Sequence, residues 1–331
     1  MQPDQLIEYL NNNPNCAKSH CALAKYFFSI KNIKEALTEW QWRFKCRNLD
    51  DDLTKKSWNY WSFYKKYKDK WWNGEGELKN ALVIADEGLG DAIQYCRYLK
   101  GLDVFVLVPE VLTSLFANSF KMTNESNVEF VVPMSNLPYY FDSELDKKIE
   151  FPYLKSSAIV PKLESNKLKV GLVWAGSKFY EADRYRSYFL REFSWVFQED
   201  IDVFSLQIGD MVRTWALNGS IFDGHDDIKV VDLMEGAEHF KMTRLEPKDF
   251  NETAAYLNQL DVLISVDTSI IHLAGALGVK TAVFLPKNNL ADWRWGSLDK
   301  NINIYPSLKF FKFTKKVDIT KFWDTMNRFG K

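Results

Sequence analysis

The hydrophobic positions divide the chain into a helical part and two series of alternating strands and helices. From residue 1 to about 75, apolar residues recur at helical spacing, for example at Leu23, Phe27 and Phe28. From residue 79 onward, short apolar runs are separated by polar or glycine-containing segments, a pattern typical of strands. The change of period predicts an α-helical segment followed by an α/β protein.

The helical segment contains one degenerate repeat. Its apolar positions include Leu23, Ala24, Phe27, Ala36 and Trp40, and their order resembles one tetratricopeptide helix pair. A single repeat of this kind cannot bury its own apolar face. We therefore expect the pair to dock on the rest of the chain or on a partner protein.

The first α/β series begins with the apolar run Asn80–Ala85. It leads into the loop Glu87–Asp91, and the next elements are a helix over Ala92–Lys100 and a strand at Val104–Val108. A strand followed by a helix and a second strand predicts parallel, buried strands. A third strand is predicted at Val128–Val132.

The second series follows a linker-like segment at 152–168, which is rich in proline and polar residues. Its apolar runs predict strands at Val170–Trp174, Val203–Leu206, Lys229–Val231, Val262–Val266 and Thr281–Leu285. Helices are predicted around Glu252–Leu260 and from Asp267 to the residue before Gly278. Two doubly wound domains that a linker joins predict a ligand cleft between the carboxyl ends of their strands.

Composition narrows the functional classes. Hydrophobic residues make up 46% and charged residues 26% of the 331 residues, which are ordinary globular values that argue against long disordered regions. The 43 basic and 44 acidic side chains nearly cancel, so charge gives no reason to expect nucleic acid or an anionic membrane as a partner. The chain is rich in Trp, Tyr and Phe, whose flat faces pack in cores or stack under sugars and bases.

The cysteines indicate a reducing compartment. Cys16, Cys21, Cys46 and Cys96 form no CxxC pair, so we expect free thiols and no metal site. The start of the sequence has no basic region followed by an apolar run, and no stretch approaches the ~20 apolar residues of a membrane span. We expect a cytoplasmic protein without a signal peptide or membrane span.

An anion site is predicted where the strand Val262–Val266 ends. Asp267, Thr268 and Ser269 open the next helix, where unpaired backbone N–H groups and the helix dipole favour a diphosphate. His272 lies four residues after Thr268 and shares its helix face, and Gly275 would let the helix pack closely on the sheet. The alternative is an ordinary N-cap with His272 as a packing residue.

Two further clusters follow strands. Gly88 and Gly90 would let backbone approach a ligand, although neither GxGxxG nor the P-loop pattern is present. Asp91 lies at a helix start and is either a cap, which the residues alone favour, or a general base at the cleft. Ser177, Lys178, Arg184 and Arg186 follow the strand Val170–Trp174, and their cations suit phosphate or form a solvated basic loop.

Eight segments carry a family resemblance, and they are Glu39–Arg43, Trp72–Gly74, Glu87–Gln94, Gly171–Gly176, Asp183–Ser187, Leu260–Thr268, His272–Gly278 and Asp292–Trp295. They resemble the heptosyltransferase-like glycosyltransferases of the family 9 type, in particular bacterial proteins that join tetratricopeptide repeats to such a domain. The resemblance spans about residues 36 to 310, and its specificity lies in the joint order and spacing of the motifs.

The resemblance implies an α/β protein with the GT-B fold, in which two Rossmann-like domains face a cleft and a short TPR-like helical segment precedes them. The expected parts are the helical segment at 1–75, an acceptor domain at 76–160, a nucleotide-sugar donor domain at 161–315 and a helix at 316–331 that crosses back to the first domain. Few strands are predicted between Ala81 and Phe151, so acceptor recognition is expected to be reduced or shared with the helical segment.

The resemblance also implies site residues. Asp91 corresponds to the proposed catalytic base, and Arg186, or by position Arg184, to the residue that pairs with phosphate. The expected donor-binding set is Gly88, Gly90, Ser177, Arg186, Gln207, Asp267, Thr268, Ser269, Ile270 and His272. Two departures concern Ser269, where these enzymes often have glycine, and Gln207 with Gly209, where they hold the ribose with an acidic residue. The donor's identity therefore does not carry over.

The expected activity is inverting, metal-independent transfer from a nucleotide-sugar to an acceptor hydroxyl, without a cofactor. Asp91 would remove the acceptor proton, Arg186 and the Thr268 loop would stabilise the leaving diphosphate, and Asp267 would help to orient the sugar. The acceptor, a glycan, a lipid-linked sugar or a protein, is left open, and so is a protein contact through the helical segment. Asp50-Asp51-Asp52 is expected to be a solvated turn rather than a metal-binding pair.

Two alternatives come from other classes. One is a non-catalytic binding or scaffold protein with a degenerate GT-B domain, and the other is a nucleotide-sugar epimerase, which uses the same fold. In Asp292-Trp293-Arg294-Trp295, packing is favoured for the tryptophans and an ion pair is left open for Arg294. A last helix is expected through Phe322, Trp323 and Met326.

Overall fold

The computed structural model describes residues 3–46, 66–123, 127–141, 149–180, 183–209, 211–216, 228–286, 293–295, 304–313 and 317–329. Asp50-Asp51-Asp52, Asp292 and the side chain of Trp293 lie outside the described residues. The chain divides into two compact units. The first unit comprises residues 1–150 and 292–304, and the second comprises residues 151–291 and 305–331.

The first unit begins with the predicted helices. They are α1 (Pro3–Asn12), α2 (Ala17–Ser29), α3 (Ile33–Trp40) and α4 (Arg43–Cys46). The α2–α3 pair buries Phe28, Ala36 and Leu37 in one small cluster. Phe44 of α4 is buried in a different cluster, together with Leu82 and Val131 of the first sheet. The helical segment therefore docks on the sheet through Phe44, as expected, and its likeness to a tetratricopeptide repeat stays a prediction.

The first sheet has four strands, β1 (Ala81–Ile84), β2 (Val104–Leu107), β3 (Lys121–Met122) and β4 (Phe130–Pro133). Their order is β3-β2-β1-β4 and their pairings are parallel. The helices around this sheet are α5 (Leu89–Tyr95), α6 (Glu110–Phe116) and α7 (Leu137–Phe141). After β3 the chain crosses to the other side of β1, where it forms β4. The strand order therefore reverses between β1 and β4.

The described residues of the second unit form eight strands, β5 (Leu168–Val173), β6 (Ile201–Ser205), β7 (Val212–Ala216), β8 (Ile228–Asp232), β9 (Thr243–Arg244), β10 (Val262–Val266), β11 (Thr281–Leu285) and β12 (Leu308–Lys312). Its helices are α8 (Asp183–Arg186), α9 (Phe250–Leu257), α10 (Ser269–Leu277) and α11 (Ile319–Arg328). Six strands form a parallel sheet of order β12-β11-β10-β5-β6-β9. This order is that of a Rossmann-type sheet, with its reversal between β5 and β10. The two parallel sheets confirm the predicted α/β class.

One predicted strand has a different partner from the one expected. Lys229–Val231 lies within β8, which was expected to join the doubly wound series. Instead β8 pairs antiparallel with β7 in a separate two-stranded ribbon, with Val212 opposite Asp232. Val230 is 66% exposed, which suits a ribbon and not the interior of a parallel sheet. The run of β-branched residues predicted the strand but could not predict its partner.

The core of the second unit extends to the end of the chain. Phe322 and Met326 of α11 are buried in the cluster that contains Trp195 and Phe284. The ring centroids of Trp195 and Phe322 lie 4.8 Å apart. The predicted last helix is confirmed, and its crossing to the first domain stays a prediction.

None of the helices in the described part of the chain has the length and apolar character that crossing a membrane requires.

Candidate functional site

The second sheet brings two predicted clusters together at one edge. β5 and β10 are neighbours, and their register pairs Val173 with Ser265. The loop after β5 and the loop after β10 therefore begin side by side. Because the strand order reverses between these two strands, their carboxyl ends form the place where open α/β sheets bind ligands.

The helix after β10 has its N-terminus at this edge. Thr268 is its N-cap residue, in extended conformation, and its side chain makes no capping hydrogen bond. The first backbone hydrogen bond of the turn runs from the N–H of Ile271 to the carbonyl of Thr268, 3.1 Å long. The backbone N–H groups of Ser269 and Ile270 lie at the start of the helix, before the first carbonyl that could accept from them within the helix. The ordinary cap, which was the alternative for Thr268, is therefore not formed by its side chain.

Arg186 of α8 joins the two loops. Its Nη1 donates to the carbonyl oxygen of Asp267 at 3.1 Å, and its guanidinium lies 4.1 Å over the ring of Tyr180. A Cβ atom on Gly176 would lie 2.7 Å from Nε of Arg186. Gly176 therefore leaves the space in which the guanidinium crosses from the end of β5 to the end of β10. Arg184 instead stacks on Tyr185, 4.6 Å from its ring.

Buried hydrogen bonds hold the loop after β5 in shape. The N–H of Gly176 donates to Oγ of Ser187 at 2.9 Å, and this hydroxyl donates to Oδ1 of Asp183 at 2.6 Å. Asp183 and Ser187 are both buried. Ser177 is exposed, and its carbonyl accepts from the N–H of Tyr180 at 3.1 Å. Arg186 thus stands on a fixed support, while Ser177 remains accessible to solvent.

Gln207, which follows β6, braces the same loop. Its Oε1 accepts from the N–H groups of Trp174 and Ala175 at 3.0 and 2.9 Å, and its Nε2 donates to the carbonyl of Ala175 at 3.1 Å. Only 6% of the residue is exposed. An amide supplies both an acceptor and a donor here, whereas a carboxylate would only accept. Glutamine therefore suits the hydrogen bonds of this loop, and the contact of Gln207 with a donor stays a prediction.

His272 lies inside the second unit. It is 7% exposed, and its Nδ1 lies 3.0 Å from Oη of Tyr305. The ring of Tyr305 also covers Gly275, where an added Cβ atom would lie 2.3 Å from Cδ1 of the ring. Gly275 therefore permits close packing against Tyr305, where the sequence predicted packing against the sheet. The packing role of His272 is observed, and its contact with a ligand stays a prediction.

In the first unit, Gly88 and Asp91 form the start of α5. Gly88 is the N-cap residue, and its N–H donates to Oδ2 of Asp91 at 2.9 Å. Gly90 lies in the first turn of the same helix. The predicted cap role of Asp91 is confirmed.

Asp91 has a second partner that the sequence did not connect with it. Its Oδ1 forms an ion pair with Nη2 of Arg294, which also lies 3.4 Å from Oη of Tyr95. The ion pair left open for Arg294 is therefore present, and Trp295 is buried as expected. The Asp91 side chain keeps 24% of its surface exposed. Both carboxylate oxygens of Asp91 therefore contact hydrogen-bond donors, and its role as a base stays a prediction.

A buried ion pair, Arg43 with Asp86, lies beside this loop and was missed by sequence reasoning. Nη2 of Arg43 lies 3.0 Å from Oδ2 of Asp86. One signal was available, because Asp86 follows a fully buried strand and a buried carboxylate needs a partner. The sequence does not indicate which of the 43 basic residues is that partner.

Cys16, Cys21 and Cys96 are free thiols, as expected, and the side chain of Cys46 lies outside the described part of the chain. Burial raises the pKa of the Cys96 thiol well above its usual range. The Ser19 hydroxyl, 3.3 Å from Sγ, lowers the pKa of the half-buried Cys16 thiol. The neutral, buried Cys96 is consistent with a packing role.

No protein-family model and no curated protein matches the chain. Among solved structures, it is similar to the bacterial iron-containing dodecameric glycosyltransferase TibC from enterotoxigenic E. coli H10407, with 10% identity, a TM-score of 0.42 and coverage of 65% of this chain and 62% of that one. This chain therefore spans less than two thirds of the length of TibC.

Two other similar structures cover more of the matched chain. For the glycosyl transferase family 9 protein from Veillonella parvula DSM 2008, the identity is 11% and the TM-score is 0.44, and the match covers 77% of this chain and 91% of that one. For the E. coli ADP-heptose lps heptosyltransferase II, the identity is 10% and the TM-score is 0.40, and the match covers 75% of this chain and 97% of that one. All three proteins are glycosyltransferases, the kind of enzyme that the sequence motifs resemble.

Proposed function

We propose that the chain is a glycosyltransferase that transfers a sugar from a nucleotide-sugar to an acceptor hydroxyl. The observation that carries the proposal is the grouping of a guanidinium, two helix N-terminal amides and a hydroxyl at the strand-order reversal of the second sheet. These groups belong to Arg186, Ser269, Ile270 and Thr268. Each of them donates hydrogen bonds and none is an anion, so together they suit a ligand rich in anionic oxygens.

A pyrophosphate fits this set better than a single carboxylate does. The helix N-terminus favours negative charge, and a guanidinium binds phosphate oxygens in a planar fork. Arg186 is already ordered by Asp267 and Tyr180, so little side-chain entropy is lost when the ligand binds. The same donors would stabilise the charge that builds up on the diphosphate as the bond to the sugar breaks.

Asp91 is the proposed base in the first unit. Its carboxylate takes the proton of the acceptor hydroxyl while the hydroxyl oxygen forms a bond to the anomeric carbon. The carbon–oxygen bond to the diphosphate breaks, and the nucleoside diphosphate leaves with the electron pair. Attack from the face opposite the leaving group inverts the anomeric centre. In this scheme Arg186 and the amides supply the positive charge, and no metal ion is required.

The ion pair with Arg294 bears directly on this role. Oδ2 of Asp91 is occupied by the N–H of Gly88, so the proton would go to Oδ1, the oxygen that faces Arg294. The acceptor must therefore share Oδ1 with Arg294 or displace it. Because Arg294 is positively charged, it would repel a cationic acceptor and tolerate a neutral or anionic one.

The direct test of the proposal is a thermal-shift panel of UDP-, GDP-, ADP- and CMP-sugars. One donor should raise the melting temperature in a concentration-dependent way, since a ligand that binds only the folded state stabilises it. Arg186→Met should weaken that binding by about tenfold to a hundredfold, the typical value of a hydrogen bond to a charged group.

The matched control is Arg191→Met, which removes an exposed guanidinium of the same unit that binds the carbonyl of Glu235. It should leave donor binding unchanged. If no nucleotide-sugar stabilises the protein, the scaffold alternative replaces the transferase. If the stabilising donor is converted to an isomer without any acceptor, the epimerase alternative replaces it.

A further inference from the structure

Arg43, to which no motif gave a chemical role, lies at the carboxyl edge of the first sheet. Its Nη2 donates to Oδ2 of Asp86 at 3.0 Å and to Oγ of Ser135 and Oδ1 of Asn136, both at 2.6 Å. Asp86 lies beyond the end of β1 and Ser135 beyond the end of β4, the two strands between which the strand order reverses. A side chain from the helical segment therefore occupies the place where sheets of this topology ordinarily bind a ligand.

Because Arg43 and Asp86 are both buried, each side chain needs the opposite charge of the other. Arg43 is 6% and Asp86 is 3% exposed. Removing one partner of such a pair leaves the other as an uncompensated buried charge. Asp86 is bound further by Ser135, whose N–H donates to Oδ1 at 2.9 Å and whose hydroxyl donates to Oδ2 at 2.6 Å.

The network fixes the beginning of the segment that carries Asp91. Asp86 is the first residue of the segment 86–91, and Oε1 of Glu87 lies 3.5 Å from Nε of Arg43. The end of the segment is tied to these residues by the hydrogen bond from the N–H of Gly88, which follows Glu87, to Oδ2 of Asp91. The direction of the Asp91 carboxylate thus depends on where Arg43 holds the preceding residues.

Attachment of the helices alone does not explain this arginine. Phe44, the next residue, is buried among Leu82 and Val131 and supplies an apolar anchor. A buried ion pair is on average no more stabilising than hydrophobic side chains of the same volume. What the pair adds is a defined geometry for the residues that it binds.

We propose that Arg43 is a positioning residue, which sets the conformation of the segment 86–91 and through it the orientation of Asp91. The kinetic part of this proposal rests on the transferase function proposed above, whereas its structural part does not. The helical segment is then an integral part of the acceptor-side machinery, and removing it would disable a base located almost fifty residues away in sequence.

The test combines hydrogen exchange with transfer kinetics on the full-length chain. In Arg43→Met, amide exchange over residues 86–91 should rise at least tenfold relative to the rest of the first sheet. With the donor identified as above, kcat should fall by about tenfold to a hundredfold, because misplacement of a catalytic group by ~1 Å has effects of this size. KM for the donor should stay within twofold, since the groups proposed to bind its diphosphate, Arg186 and the start of α10, lie in the other unit. Arg43→Lys, which retains a charged donor, should recover part of the loss.

Arg97→Met is the matched control. Arg97 is also buried in the first unit, but its described hydrogen bonds go to the carbonyls of Gln94 and Ile304, beyond the other end of α5. It should lower the melting temperature without changing exchange over residues 86–91 or reducing kcat. If Arg43→Met does not fold, Ser135→Ala replaces it. This variant removes a single hydroxyl from the network and should raise exchange over the same segment.

Unchanged exchange over residues 86–91 in the folded variants would overturn the positioning role, and so would an equal loss of kcat in Arg97→Met. A wild-type chain that binds no nucleotide-sugar would instead overturn the proposed function, and the exchange experiment would still decide the role of Arg43.

Discussion

Both parallel sheets reverse their strand order once, between β1 and β4 in the first unit and between β5 and β10 in the second. In the first unit the reversal is closed by Arg43 with Asp86 and Ser135. In the second unit it presents Arg186, the Thr268 hydroxyl and the first amides of α10. The same topology therefore serves once as an internal brace and once as a candidate anion site. Strand order identifies the candidate location, and the charge balance of the side chains there decides whether a ligand is needed.

The two arginines show how this balance works. Arg43 faces a buried carboxylate, and the pair is electrically complete without a ligand. Arg186 makes its hydrogen bond to a backbone carbonyl, and Oδ1 of Asp183, its described ionic neighbour, lies 3.9 Å away. Asp183 also accepts from Ser187, which divides its hydrogen-bonding capacity. Arg186 thus keeps more of its capacity to bind an anion.

Asp91→Asn should have the largest effect, because it changes the proposed base in the first unit and leaves the proposed donor-binding groups of the second unit intact. The variant retains the shape of the side chain but loses the base, so kcat should fall by about 10²- to 10⁴-fold. Donor binding, which we assign to the second unit, should be unchanged in the thermal-shift assay. Asp103→Asn is the control, since Asp103 is an exposed carboxylate of the same unit that pairs with Lys121. Turnover retained in Asp91→Asn would remove Asp91 from the mechanism.

Gly275→Ala should destabilise the second unit. The added methyl group would lie within 2.4 Å of Cδ1 and Cγ of Tyr305, so the ring must move, at a cost of about 1–3 kcal/mol. Chemical denaturation measures this loss. In a Tyr305→Ala background the same methyl group should cost much less. Equal costs in both backgrounds would show that Tyr305 is not the residue that requires glycine.

Gly176→Ala should have the smallest effect on stability and a selective effect on binding. The atoms that its methyl group would meet, 2.7–2.8 Å away, belong to the guanidinium end of the Arg186 side chain, which would give up its contacts with Asp267 and Tyr180 while the backbone keeps its place. Donor affinity should then fall by about tenfold, or ~1.4 kcal/mol, while the melting temperature of the free protein changes little. The effect should disappear in an Arg186→Met background. If Gly176→Ala still lowers donor affinity in that background, Gly176 does not act through Arg186.

The sequence predicted the elements that are buried on both faces. β1, β10 and β11 are uninterrupted apolar runs, so their positions followed from hydrophobicity alone. β3 and β9 were missed because each has only two residues and no apolar run. β12 (Leu308–Lys312) mixes apolar and charged residues. This mixture suits an edge strand, and in a sequence it is hard to distinguish from the composition of a loop.

The candidate site was predictable where it depends on local chemistry. Asp267, Thr268 and Ser269 announce a helix start after a buried strand, and the structure places Thr268 as N-cap. Partners that are distant in sequence were not predictable. Arg294 and Asp91 are 203 residues apart, and Arg43 and Asp86 are 43 apart. Their pairing depends on how the strands are ordered, and a single sequence does not encode that order in any local pattern.

The path of the chain has a consequence for dissecting the protein. Residues 292–304 belong to the first unit, although the chain on both sides of them belongs to the second. A fragment that stops at residue 150 would lack Arg294, and a fragment that starts at residue 151 would carry that segment without the helix it binds. No single cut yields both units intact, so half-molecules are poor tools for assigning activities here. Circular permutants or paired co-expressed fragments that retain the 292–304 segment with the first unit are the appropriate alternative.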